Sequence, residues 1–311
     1  MRRQSAGKSV IVSPRDLVIF RLLARYRYLP SNFLHAFVGG NPIRFKQRLG
    51  ELFHEGYLGR PYRQWQAMNA RYRPAVYELD DKARTVLMDA DIPGRYRVGA
   101  GGSFAHELIV CMITASLELT ARDIANLDFV TWEELAMTAP ASARLSPTPS
   151  AVFVSIRHQD RSHEFSLKPD GRPFALRHAP DAGPTRTLYF PGVEVDRHTE
   201  PLSAFDLERS SILRKVLGYR EMVATEAYKS QLGFANMLVP IVTVNPQHMR
   251  NMIDLVLQLT NDKGASYLLF KAVPDFVSLE KTLQPDDRLL REPWQRAGYP
   301  PFDIRKELRV A

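Results

Sequence analysis

Residues 41–60 read NPIRFKQRLGELFHEGYLGR, and a helical period gives way to an extended one inside that stretch. Asn41 is a good N-cap, and Pro42 suits the first helical position. Ile43, Phe45, Leu49, Leu52 and Phe53 then fall at spacings that a helix turns inward, predicting a helix to about Glu55. Gly56 ends it, and Tyr57-Leu58-Gly59-Arg60 reads as the first strand of a hairpin. Arg44, Lys46, Gln47 and Arg48 are left for the outer face of the helix's N-terminal half.

Upstream, Ser13 can cap a helix that has Pro14 at its start and Asp16 in its first turn. Leu17, Phe20, Leu23 and Ala24 share one face of it. A short second helix is expected from Ser31 to Phe37, broken by Gly39-Gly40. Downstream, a loop with Arg63, Trp65, Arg71 and Arg73 leads to a return strand, Ala75 to Leu79. Three helices followed by a basic hairpin is the order of a winged helix-turn-helix, in which the third helix enters the major groove and the wing follows the backbone. On that reading Arg44, Lys46, Gln47, Arg48, Arg60, Arg63, Arg71 and Arg73 contact double-stranded DNA. The same fold also serves protein contacts, with such arginines simply solvated.

Charge distribution favours the DNA reading. Residues 1–100 hold 18 Lys and Arg against 8 Asp and Glu, while the remainder holds 24 against 26. The chain's net charge of +8 therefore resides in its head, where a polyanion would release counterions on binding. A length of 311 residues predicts about two domains, and 45% hydrophobic residues suffice for ordinary cores. The single cysteine, Cys111, excludes an internal disulfide and is expected as a buried thiol in a reducing compartment. Asp16 and Arg21 interrupt any signal-peptide core, and no apolar run reads as a membrane span, so a cytoplasmic location is expected.

The expected domains are a DNA-binding head at 1–95, an α/β body at 103–275 and a tail at 276–311, with Pro93-Gly94 and Gly99 to Gly102 in the linker. The body should open with an amphipathic helix at 104–123 and a strand at 128–133. Strands at 151–157, 163–168, 173–177 and 187–195 follow, then a helix from Glu208 to about Tyr228. A strand at 237–244, a helix at 246–259 and a strand at 266–272 complete a mixed sheet with helices on its faces.

Two turns in this body carry carboxylates. Lys168-Pro169-Asp170-Gly171 joins two strands, and Glu194-Val195-Asp196-Arg197 ends another, with Glu194 and Asp196 on one face. If Asp170 comes beside them, Asp170, Glu194 and Asp196 would suit a hard cation such as Mg²⁺. By spacing alone the first is equally an ordinary Pro-Gly turn, and the second a polar strand end. His198 has no second histidine at zinc-ligand spacing, His106 reads as a packing residue, and no phosphate loop of the GxxxxGK[ST] type occurs.

The order of a winged helix, His106-Glu107-Leu108, a Trp132 strand, KPDG (168–171), VEVDRHTEP (193–201) and a helix with Lys215 and Tyr219 resembles the replication-relaxation family. The likeness covers roughly residues 10–260 and implies a DNA-binding protein of plasmids and integrative elements, tied to replication, relaxation or mobilisation. The body also looks like the αβββαβ core of PD-(D/E)XK nucleases. That likeness implies metal held by Glu107, Asp170 and Glu194. The lysine usual two residues after the strand acid is here Asp196, and Lys215 on the next helix could replace it. Lys215 is equally a plain helix-surface cation.

Three functional readings follow. The first is a DNA-binding accessory or regulatory factor of a mobile element, working with a relaxase or replication machinery and able to pair as a homodimer, with a silent nuclease-like body and no required cofactor. The second is a Mg²⁺-dependent DNA endonuclease using Glu107, Asp170, Glu194 and Lys215. The third is a winged-helix transcriptional regulator.

Overall fold

The computed structural model describes residues 10–66, 72–90, 103–145, 150–197, 201–202, 207, 210–277 and 282–310. Arg71, His198 and the expected linker at 93–102 lie outside the described residues. The protein is a mixed α/β chain with several small sheets, and it divides into two compact units. Met1–Leu119 with Ser278–Pro285 form the first, and Thr120–Val277 with Asp286–Ala311 the second.

The first unit begins with α1 (Pro14–Tyr26), β1 (Leu29–Pro30), α2 (Ser31–Val38) and α3 (Pro42–His54). It continues with β2 (Leu58–Gly59), a 3₁₀ turn at Tyr62–Gln66, β3 (Val76–Leu79) and α4 (Asp81–Asp89). The long helix α5 (Phe104–Arg122) follows. Ser13 and Asp16 form a reciprocal capping box at the start of α1, and Asn41 accepts hydrogen bonds from the Ile43 and Arg44 amides at the start of α3. Strand β3 lies between β1 and β2, antiparallel to both. The buried side of α1 is Ile19, Phe20, Leu22, Leu23 and Tyr26, so Phe20 and Leu23 face inward as expected while Leu17 and Ala24 are half-exposed. On α3, Phe45, Leu49, Leu52 and Phe53 are buried, but Ile43 is 69% exposed. Ile43 lies about 200° around the helix from Phe45, on the face opposite the buried stripe. Helix α4, capped by Asp80, was not anticipated from the sequence.

Helix α5 is long and apolar enough to cross a membrane by length and composition, contrary to the sequence expectation, and most of it is buried inside the protein. Cys111 on this helix is half-buried, and its thiol donates to the Tyr26 carbonyl oxygen.

The second unit opens with β4 (Leu127–Val130), α6 (Trp132–Thr138) and α7 (Ala141–Leu145). The expected strand at 128–133 therefore stops early. Thr131 and Glu134 form a capping box that turns the chain, which places Trp132 on a helix. Next come β5 (Val152–His158), β6 (Arg161–Leu167), β7 (Phe174–His178), β8 (Arg186–Phe190) and β9 (Glu194–Asp196). Pro191 and Gly192 divide what the sequence suggested was one strand at 187–195. β8 pairs with β7, whereas β9 runs parallel to the next strand of another sheet.

Helices α8 (Ile212–Ala224) and α9 (Ala227–Leu232) are separated at Glu226, whose φ of 53° no helix continues through. They lead into β10 (Val239–Thr243), α10 (Pro246–Leu259) and β11 (Ala265–Ala272). The stretch expected to be a tail contributes α11 (Arg288–Arg291), β12 (Trp294–Ala297), β13 (Tyr299–Phe302) and α12 (Ile304–Leu308). Its strands extend the main sheet, whose order is β13-β12-β11-β10-β9. β10 lies between two parallel neighbours and is buried at every position, as such a central strand requires. Val152, Val154 and Ile156 from one face of the β5–β6 hairpin join Val216, Leu217, Met252 and Phe270 in one hydrophobic core.

Candidate functional site

In the second unit, the KPDG turn and strand β9 are tied together through the backbone. The Gly171 amide donates to the Val193 carbonyl at 2.9 Å, and the Val195 amide donates to Oδ2 of Asp170 at 2.9 Å. Gly192 permits this approach: at φ +146°, a Cβ there would fall 2.4 Å from the Gly171 carbonyl oxygen. Glu194 is thus held beside Asp170, with its side chain turned to α8.

Two residues on α8, one helical turn apart, meet it. The Lys215 ammonium lies 2.9 Å from Oε2 of Glu194 and 3.6 Å from Oδ2 of Asp170. The Tyr219 hydroxyl donates to Oε1 of Glu194 at 2.5 Å. Glu194 is only 1% exposed and Tyr219 is fully buried. Burial pushes the Glu194 carboxyl up to about 7, with the Asp170 charge adding to it and Lys215 and Tyr219 opposing. Burial and the neighbouring Glu194 raise the Tyr219 phenol well above its ordinary value.

Asp196 takes another partner. Its carboxylate contacts Nε2 of His248 at 2.5 Å, and both side chains are buried. His248 stands in the first turn of α10, where the Asn245 side chain accepts from the Gln247 and His248 amides. Of the four residues assigned to a nuclease-like centre, Asp170, Glu194 and Lys215 converge. Glu107 belongs to the first unit, where its carboxylate pairs with Arg27 at 2.7 Å. Sequence reasoning missed the roles of Tyr219 and His248. The Lys215–Tyr219 spacing on one helix face was the available signal for the first, while His248 left none beyond its place after a buried strand.

The residues do not fit a Mg²⁺ ion held by Asp170, Glu194 and Asp196. Asp196 is committed to His248, and the cation bridging Asp170 and Glu194 is the Lys215 ammonium. Among the described residues, no group of three or more His, Cys, Asp or Glu side chains is placed to hold a metal ion.

The basic face of the first unit is sorted by its internal bonds. Arg44, Lys46 and Gln47 on α3 are exposed, as is Arg63 in the 3₁₀ turn. Arg48 instead bonds Asp16 at 2.7 Å and Glu51 at 2.8 Å, and also donates to the Ile11 carbonyl. Burial pushes the Asp16 carboxyl up, but hydrogen bonds from Arg48 and Ser13 outweigh it and hold it below the usual range. Arg60 lies over the Phe53 and Tyr77 rings, 4.3 and 5.0 Å from their centroids, and donates to the Tyr77 hydroxyl. Arg73 is half-buried. The outward-facing subset of the expected DNA contacts is therefore Arg44, Lys46, Gln47 and Arg63, with Arg48 and Arg60 engaged in the packing of the unit.

No curated protein and no solved structure matches the chain. The replication-relaxation family model matches residues 20–238, which takes in the basic helix α3, the KPDG turn, Glu194 and Lys215. The chain belongs to the replication-relaxation family.

Proposed function

We propose that the protein is a DNA-binding accessory or regulatory factor of a mobile element, acting in replication or relaxation through a winged helix-turn-helix head. The observation that carries the reading is the exposed basic half of α3, with Arg44, Lys46 and Gln47 turned to solvent. The order of three helices and an antiparallel pair, β2 with β3, supports a recognition helix followed by a wing. Arg63 and Arg73 would meet phosphates beside it. A relaxase or replication enzyme is the proposed protein partner, and a homodimer would let two heads read paired half-sites.

On this reading the second unit is a nuclease-like scaffold that no longer cuts. Its lysine bridges the two carboxylates in place, so the cluster holds the turn, β9 and α8 together rather than presenting open ligand positions. The test is fluorescence anisotropy with a mixed-sequence duplex over a series of salt concentrations, comparing the native chain with Arg44→Ala/Lys46→Ala. Weaker binding and a shallower salt dependence are expected. Equal affinity and slope would remove α3 as the reader.

One observation favours a second reading, an endonuclease: Asp170, Glu194 and Lys215 do converge. Incubation of supercoiled plasmid with Mg²⁺ or Mn²⁺ separates the two. Nicking that disappears in both Asp170→Ala and Glu194→Ala would favour the endonuclease, and intact plasmid the silent scaffold.

A further inference from the structure

Within the first unit lies a cavity of ≈ 520 Å³. Its size is that of a site for a small organic ligand. Phe104, Leu108 and Met112 of α5 form part of its wall, with Val76 of β3 and Leu283. Arg63 and Arg73 also line it, and among the described residues its lining includes no Asp or Glu, although the Glu107 charge is felt at Arg63. Ser103, Phe104 and Ala105 bring the first turn of α5 to the same cavity, where the amide ends of a 19-residue helix favour negative charge.

Two parts of the wall are tied by hydrogen bonds within the unit. Gln64 donates to the Val76 carbonyl at 3.0 Å and accepts from the Val76 amide at 2.8 Å, which locks the 3₁₀ turn carrying Arg63 onto β3. Asn32 donates to the Leu283 carbonyl at 2.7 Å and to the Gln284 side chain at 3.1 Å, which holds the opposite wall.

We propose that this cavity binds a small organic anion with an apolar body, its acidic group at Arg63 and Arg73 and its body against Phe104, Leu108 and Met112. A carboxylate, phosphate or sulfonate can accept from both guanidinium groups. A bare inorganic ion gains nothing from the apolar wall, whereas an organic anion buries its body there. Because Arg63 and Arg73 are also proposed phosphate contacts, a bound anion would compete with DNA, and this last step rests on the DNA-binding reading.

The probe is 8-anilinonaphthalene-1-sulfonate, an aromatic sulfonate whose fluorescence rises in apolar surroundings. Titration of the full chain should give saturable binding at one site. Arg63→Gln/Arg73→Gln should weaken it at least tenfold, Leu108→Trp should fill the cavity and abolish it, and Arg157→Gln on β5 should leave it unchanged. Circular dichroism checks the fold of the Leu108→Trp variant, and the arginine double variant decides the matter if that variant fails to fold. Non-saturable binding, or binding equal in the native chain and the arginine variant, overturns the proposal. Anisotropy with labelled duplex then reads competition separately. A chain that binds the probe but no duplex upholds the cavity site and overturns the DNA-binding reading alone.

Discussion

The ammonium of Lys215 lies 2.9 Å from the carboxylate of Glu194, and the glutamate is 1% exposed. A charge so deeply buried is tolerated only with a partner, because the attraction must offset the loss of hydration. Removing that partner while keeping the length of the side chain should therefore be costly. Lys215→Met is expected to destabilise the protein by about 2–4 kcal/mol at pH 8. The cost should be smaller at pH 5, where Glu194 is protonated in both proteins. Urea unfolding at the two pH values checks this, and an equal cost at both would assign Lys215 to packing alone.

Glu194 itself should make stability pH-dependent. Its carboxyl titrates at about 7 in the folded protein against an ordinary value of 4.5. Between these values the folded state holds a proton that the unfolded chain has released. The contribution is thus complete below the unfolded value and is lost as pH rises through about 7. The loss is roughly 3 kcal/mol by the usual 1.4 kcal/mol per unit. Glu194→Gln stays neutral and can still accept from Tyr219, so it should gain on the native chain between pH 5 and pH 8. Parallel stability curves for the two proteins would show that Glu194 does not carry this dependence.

Local signals made much of the fold legible. Helix α10 spans the expected residues because an Asn245 cap, a Pro246 start and a continuous apolar stripe agree about it. Strand β10 followed from its uninterrupted apolar run. The failures occurred where a local cue competed with a longer pattern. The Thr131 cap ended β4 before Trp132, and Gly192 divided β8 from β9, although the residues on either side read as extended. The C-terminal strands were hidden because β12 and β13 are four residues each and Tyr299-Pro300-Pro301-Phe302 resembles a loop. They are held by pairing, β12 with β11 and β13 with β12, which the sequence does not display.

The candidate site shows the same division. Asp170 and Glu194 were legible as a turn and a strand end, and Lys215 through the family resemblance. That Asp196 belongs to His248, and Arg48 to Asp16, depends on long-range packing.

Arg48 and its neighbours on α3 should separate stability from binding. Asp16 is 1% exposed, and Arg48→Ala would leave it without two charge-assisted bonds, at a cost of about 2 kcal/mol. Arg44→Ala/Lys46→Ala should be nearly neutral for stability, since both side chains are exposed. In duplex titrations the double variant should reduce the salt slope by about 2 if each residue meets one phosphate. Arg48→Ala should leave the slope unchanged. Thermal melts and salt-dependent anisotropy on the same three proteins provide the comparison. A slope lost with Arg48 rather than with Arg44 and Lys46 would reverse their assignment.

Gly192 tests whether the KPDG turn and β9 act as one piece. An alanine there adds a Cβ 2.4 Å from the Gly171 carbonyl oxygen and 2.8 Å from Cβ of Pro169, at a φ that side chains rarely adopt. The backbone must then move, and the first contacts to yield are the Gly171–Val193 hydrogen bond and the Asp170–Val195 bond beside it. Gly192→Ala is expected to cost about 2–4 kcal/mol. It should also lessen the penalty of a subsequent Lys215→Met, because Asp170 and Glu194 would no longer be gathered around the ammonium. A double-mutant cycle by urea unfolding measures this coupling. Coupling of about 1 kcal/mol or more is expected, whereas additive costs would mean that Lys215 holds Glu194 without the turn.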